Sequence, residues 1–148
     1  MKFSVITTYR VASWLYRHKV PLLPKLLWGL GYLCFNAHIP YTAEIGEGTQ
    51  LGYGGMGIVI HGRTKIGRNC LIGQQVTIGG KSRHYEVPVI GDNVYIAAGA
   101  KVLGPIRVGD GAVIGANAVV VKDVPAHCVV AGVPARIIAT DIDVADYR

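Results

Sequence analysis

Two histidines in this chain stand where a regular sequence pattern fails. His61 directly follows the aliphatic Ile60 and lies just after the glycine-rich stretch GlyTyrGlyGlyMetGly at 52–57. His84 sits beside Arg83 within GlyGlyLysSerArgHisTyrGluValPro at 79–88. Imidazole titrates near neutrality, so a well-placed histidine can take the proton from an attacking hydroxyl. His61 is the favoured general base, and His84 is able to fill that role instead. Of the other histidines, His18 and His127 read as structural or solvated.

The elements that must position them form a repeat. Ile60, Ile66, Ile72 and Ile78 fall six apart, and after a gap of twelve Ile90, Ile96, Val102, Val108, Ile114 and Val120 keep the same register. Gly67, Gly73, Gly79, Gly91, Gly109 and Gly115 each follow an anchor. Neither a helix nor a simple strand has a period of six. A hexapeptide repeat predicts a parallel β-helix in which each short side places one aliphatic residue in an inner stack. Ile45 and Leu51 open the repeat. Three extra residues between Leu51 and Ile60 predict a bulge, and the anchorless interval from Ile78 to Ile90 predicts a loop. Functional segments leave rigid scaffolds as loops, so site residues are expected at these two breaks.

Residues 4–18 read as an amphipathic helix in which aromatic and basic residues interleave, ended by Pro21 and Pro24. A second helix is expected from about Lys25 to Asn36, and both are expected to pack on the start of the β-helix. Residues 1–43 contain Lys2, Arg10, Arg17, Lys19 and Lys25 and no acid, whereas the rest of this +6 chain is nearly balanced. No nucleic-acid-binding motif accompanies that charge, so no nucleic-acid partner is expected. Residues 1–35 are a candidate peripheral membrane contact. The apolar run from Leu26 to Phe35 is too short to span a bilayer. No secretory signal is read, so the expected location is the cytoplasm or the inner face of the membrane. The expected organisation is N-terminal helices over 1–38, a β-helix over 39–137, and a tail over 138–148 that can cap the open end.

Residues 45–137 resemble the hexapeptide-repeat acyltransferases. Within them the chain is similar to serine O-acetyltransferases, in a short form without their large N-terminal helical domain. The matching stretches are GlyIleValIle at 57–60, ValThrIleGlyGly at 76–80, ArgHis at 83–84, AlaGlyAlaLysValLeuGly at 98–104 and AlaGlyValProAlaArgIle at 131–137. TyrArgValAlaSerTrpLeuTyr at 9–16 resembles the helix that precedes the β-helix in that family.

The resemblance implies a single-stranded left-handed parallel β-helix, acetyl-CoA as co-substrate without a metal, and a homotrimer with active sites between subunits. It implies substrate contact for Arg83 and His84. Gly79, Gly80, Ala98 and Ala116 match positions along the pantetheine arm, and Lys122 and Arg136 are candidate phosphate partners. The family's catalytic aspartate–histidine pair is replaced by Gly52 and Tyr53, and its supporting aspartate by His38. Tyr53 and His38 are therefore candidate substrate-binding residues, with His38 alternatively orienting the base.

The expected activity is acetyl-CoA-dependent O-acetyl transfer to serine, or to a saccharide hydroxyl in capsule or surface-polysaccharide biosynthesis. A β-helical zinc hydro-lyase needs three histidines per metal, and Val89 stands at the five-residue spacing from His84. Cys34, Cys70 and Cys128 are odd in number and unclustered, which argues against a disulfide frame or a Cys-based metal site. ATP and NAD lack the glycine motifs they require. A non-catalytic scaffold would leave both histidine-bearing interruptions unexplained.

Overall fold

The computed structural model describes residues 3–148. All ten aliphatic anchors from Ile60 to Val120 are buried, none more than 4% exposed. The small or β-branched residues four places later are buried with them, Thr64, Cys70, Val76, Val94, Ala100, Ala112 and Ala118 among them. The six-residue period is thus the period of one flat side and one corner.

Three parallel sheets form the sides. The first holds β1 (Glu44–Ile45), β4 (Lys65–Ile66), β7 (Val89–Ile90) and β10 (Arg107–Val108). The second holds β2 (Gln50–Leu51), β5 (Leu71–Ile72), β8 (Tyr95–Ile96), β11 (Val113–Ile114), β13 (Val129–Gly132) and β14 (Ala135–Ala139). The third holds β3 (Val59–Ile60), β6 (Thr77–Gly79), β9 (Lys101–Leu103) and β12 (Val119–Val120). Each anchor sits over its counterpart one coil away: Ile45 over Ile66, Ile66 over Ile90, and Ile60 over Ile78. The result is a left-handed parallel β-helix of about four turns.

Both breaks in the repeat fall at corners, where added residues do not disturb the stack. Residues 52–58 turn from the second sheet into the third. Residues 80–88 loop out between the third sheet and the first, and β7 still pairs directly with β4 and β10. At the corner between the second and third sheets Gly99 has φ +73, and a Cβ there would collide with Asn117 Oδ1.

Helix α1 (Val5–Arg17) starts at an N-cap Ser4, whose hydroxyl accepts from the Thr7 amide. Helix α2 (Leu23–Phe35) begins with Pro24 in its first turn, where the missing N–H costs nothing. As expected, the helices pack on the first coil. The buried Tyr9 hydroxyl donates to the Ala43 carbonyl at 2.6 Å and accepts from the Ile45 amide at 3.1 Å. The C-terminal tail covers the open end of the second sheet with β14 and then turns back along the outside of that sheet. β14 pairs antiparallel with β13, and Val144 is buried with Val113 and Val129 on the outer side of the second sheet. Arg148 then donates to the Asn69 carbonyl at 2.7 Å.

Candidate functional site

Because side chains alternate along a strand, the inward Ile60 forces Val59 and His61 outward from the third sheet. His38 extends this sheet by one rung beyond β3. Its amide donates to Ile58 O at 2.8 Å, and its carbonyl accepts from Ile60 N at 2.9 Å. The His61 amide donates to Ile78 O at 2.9 Å, at the end of β3 beside β6. A Cβ on Gly80 would lie 3.4 Å from Val87 Cγ1 and 3.9 Å from His61 Cδ2, so the Cδ2 edge of the ring faces this glycine.

Two neighbours, Arg63 and His38, set the chemistry of His61. The Arg63 amide donates to its Nδ1 at 3.2 Å. A backbone N–H can only donate, so the neutral ring carries its proton on Nε2. Partial burial holds the His61 pKa below the usual histidine value, and the positive charges of Arg63 and His38 lower it further. The Arg63 guanidinium donates to the Tyr85 carbonyl at 2.6 Å and lies 4.1 Å from the centre of the Tyr85 ring. This charge-assisted bond and cation–π contact tie the 80–88 loop back to the corner that holds His61.

The His38 ring stands edge-on to two aromatic residues of α2. Its centroid is 5.3 Å from that of Trp28 and 6.5 Å from that of Tyr32, at interplanar angles of 87° and 88°. Trp28 and Tyr32 are one helical turn apart and so share a face of α2. His84 is exposed on the loop. Its amide closes a turn onto Lys81 O at 3.1 Å, with Arg83 at φ 68 inside that turn.

A groove of about 710 Å³ starts at Gly80 and is lined by Lys81, Leu103, Pro105, Val121, Lys122 and Asp123, among others. Its volume suits a medium-sized ligand. A second groove, of about 510 Å³, lies between α1 and the first sheet, and neither groove is lined by a histidine. Among the described residues no three His, Cys, Asp or Glu side chains converge to hold a metal ion.

One chain gathers only part of the expected set. His38, His61, Gly79, Gly80 and Lys122 belong to the third sheet and the corner that follows it, and Arg83 and His84 ride on the loop leaving that corner. Tyr53, 82% exposed at φ 50, lies at the preceding corner. Ala98 and Ala116 stack one coil apart at the same corner, where the Asn117 amide donates to Ala98 O. Arg136 lies on β14 and donates to its neighbour's carbonyl, Ala135 O, at 3.1 Å. The third sheet therefore separates two groups of candidate residues, and Arg136 belongs to neither.

Residues 88–122 match the family described as bacterial transferase hexapeptide (six repeats). The serine acetyltransferase of Synechococcus elongatus is 42% identical over 138 residues, which span 92% of this chain and 56% of that protein. That of Bacillus subtilis is 39% identical, over 92% of this chain and 67% of its own. This chain belongs to the hexapeptide-repeat acyltransferases. It spans little more than half the length of the Synechococcus relative. Among solved structures of the family, a serine acetyltransferase in complex with coenzyme A from Brucella abortus superposes with a TM-score of 0.86 at 37% identity. That match covers 91% of this chain and 54% of the other.

Several residues around the candidate site escaped the sequence reading. Arg63 shares its corner with His61, and Tyr85 directly follows His84, so nearness in sequence was a usable signal for both. Trp28 and Tyr32 carried only their four-residue spacing, which does not reveal the coil they reach.

Proposed function

We propose that this chain transfers an acetyl group from acetyl-CoA to the hydroxyl of serine, as an assembly of three copies. The similarity to named serine acetyltransferases over nine-tenths of the chain carries this reading. It is supported by His61 beside Gly80, where a ligand-sized groove begins, and by His84 on the loop that leaves the same corner. In the reaction the acceptor oxygen attacks the thioester carbonyl carbon. A C–O bond forms, the C–S bond breaks, and the hydroxyl proton passes through a base to the departing thiolate.

The two histidines divide this work. His61 Nδ1 is occupied by the Arg63 amide, which leaves Nε2–H as a donor. His61 then polarises the thioester carbonyl and stabilises the oxyanion that forms there. His84, with an exposed ring on the loop, takes the acceptor proton. Arg83 binds the acceptor beside it. Gly79 and Gly80 leave room for the acyl arm, and Lys122, with Lys81, faces the phosphates. The trimer reading rests on the split between these two groups: a neighbouring copy can bring its Tyr53, Ala98 and Ala116 corner against the His61 corner. Arg136 is assigned to the phosphates of the same ligand.

A saccharide acceptor is the second reading. Tyr53 and His38 replace polar catalytic residues expected from the resemblance, and Trp28 and Tyr32 offer aromatic surface on which a sugar ring can pack. Release of free thiol from acetyl-CoA, measured with serine and with a panel of sugars, decides between them. Turnover with serine alone supports the first reading, turnover with sugars alone supports the second, and release with none of these acceptors refutes both.

A further inference from the structure

Helix α2 is apolar on nearly every side but packs on only one. Pro24 and Gly31 are buried, and Leu27 and Trp28 face α1 with them. The opposite side presents Leu22 at the N-cap, then Leu26, Leu30 and Leu33, exposed by 77%, 68%, 42% and 81%. Their spacings of four, four and three align them in one stripe. Single exposed leucines are ordinary, but a contiguous stripe marks a surface that meets a partner.

Charge identifies the partner. Lys19 lies in the turn before the helix, and Lys25, three positions from Leu22, borders the stripe. No acid occurs anywhere in residues 1–43. A two-fold pairing of this face with a second copy would bring Lys19 and Lys25 against a segment with no carboxylate to receive them. A bilayer rich in anionic headgroups satisfies both features. The leucines enter the boundary of the acyl chains while the lysines remain among the phosphates. With 13 residues α2 is about 20 Å long, well short of a hydrocarbon core of about 30 Å. It would therefore lie in the interface rather than cross it. We propose that the Leu22–Leu33 face of α2 docks on an anionic lipid bilayer.

The test is co-sedimentation of the full chain with phosphatidylcholine vesicles, with and without phosphatidylglycerol. Binding is expected only when phosphatidylglycerol is present. The double variant Leu26→Glu, Leu33→Glu should abolish it with an unchanged circular dichroism spectrum, since both side chains are already solvated. Lys25→Glu should weaken binding about fivefold or more, from roughly 1 kcal/mol per basic residue near such a surface. Light scattering on the double variant should give the same oligomer mass as the parent. Failure of the parent to bind anionic vesicles would overturn the proposal. So would equal binding to neutral vesicles, or a fall in oligomer mass in the double variant, which would identify a second copy as the occupant. No substrate enters this test, so its failure is distinct from failure of the acetyl-transfer reading.

Discussion

Replacing His61 with glutamine and with alanine separates a hydrogen-bond donor from a base. The Arg63 amide, 3.2 Å from Nδ1, leaves one free polar function on the neutral ring, the Nε2–H. A glutamine side chain can place an amide N–H near the same point but cannot act as a base at neutral pH. Removing one donor to a developing oxyanion costs about 10²–10³ in kcat, so His61→Ala should fall by that factor. His61→Gln should stay within about tenfold of the parent, the scale of one imperfect hydrogen bond at 1.4 kcal/mol. His84→Ala should lose about 10²–10⁴, the contribution of a general base.

The pH profile gives an independent reading. A base must be unprotonated, so kcat/KM rises with pH through its pKa. The pKa of His61 is lowered from 6.5 by burial, then by Arg63 and His38, so an acid limb due to His61 would lie below 6.5. In the proposed division of labour His61 is not the base, so His61→Gln keeps the parent's acid limb. The assay is thiol release from acetyl-CoA across pH, with nitrogen-15 NMR of the His61 ring to read its tautomer directly. The reasoning fails if His61→Gln is as inactive as His61→Ala and its acid limb disappears, or if the neutral ring carries its proton on Nδ1.

Other outcomes follow from single contacts. Gly80→Val should lower kcat/KM, because the new Cβ would lie 3.9 Å from His61 Cδ2 and 3.4 Å from Val87 Cγ1 and crowd the histidine; an unchanged kcat/KM would contradict this. Tyr9→Phe leaves Ala43 O and Ile45 N without a partner in a buried setting, and should cost about 2–4 kcal/mol in denaturant unfolding. Tyr16→Phe, at an exposed ring, is the control and should be neutral. Thr64 is fully buried and its hydroxyl has no hydrogen-bond partner. Thr64→Val should therefore raise stability by about 1 kcal/mol in chemical denaturation, and a loss would show that the hydroxyl is satisfied in solution.

The β-helix was legible because its period is written directly in the sequence. Ile60, Ile78 and Val102 recur at the same point of successive coils and are all buried, and the two failures of the period fell at corners as the sequence implied. His61 was conspicuous for the same reason. What could not be read was anything set by the meeting of distant segments. Trp28 and Tyr32 meet His38 only because Tyr9 fixes α1 against Ala43 and α1 in turn fixes α2. The return of the tail along the second sheet was not legible either, because Val144 carries no signal of the outward pair Val113 and Val129 that buries it. That Tyr53 and His61 flank one strand was legible, since the sequence puts them before and after Ile60.

Incubating the protein with isotopically labelled acetyl-CoA and serine, then identifying the product by mass spectrometry, tests the central claim most directly. The account predicts labelled O-acetylserine and free CoA in equal amounts, with both lost in the His61→Ala, His84→Ala double variant. Free CoA without acetylated serine, or O-acetylserine formed undiminished by the double variant, would contradict it.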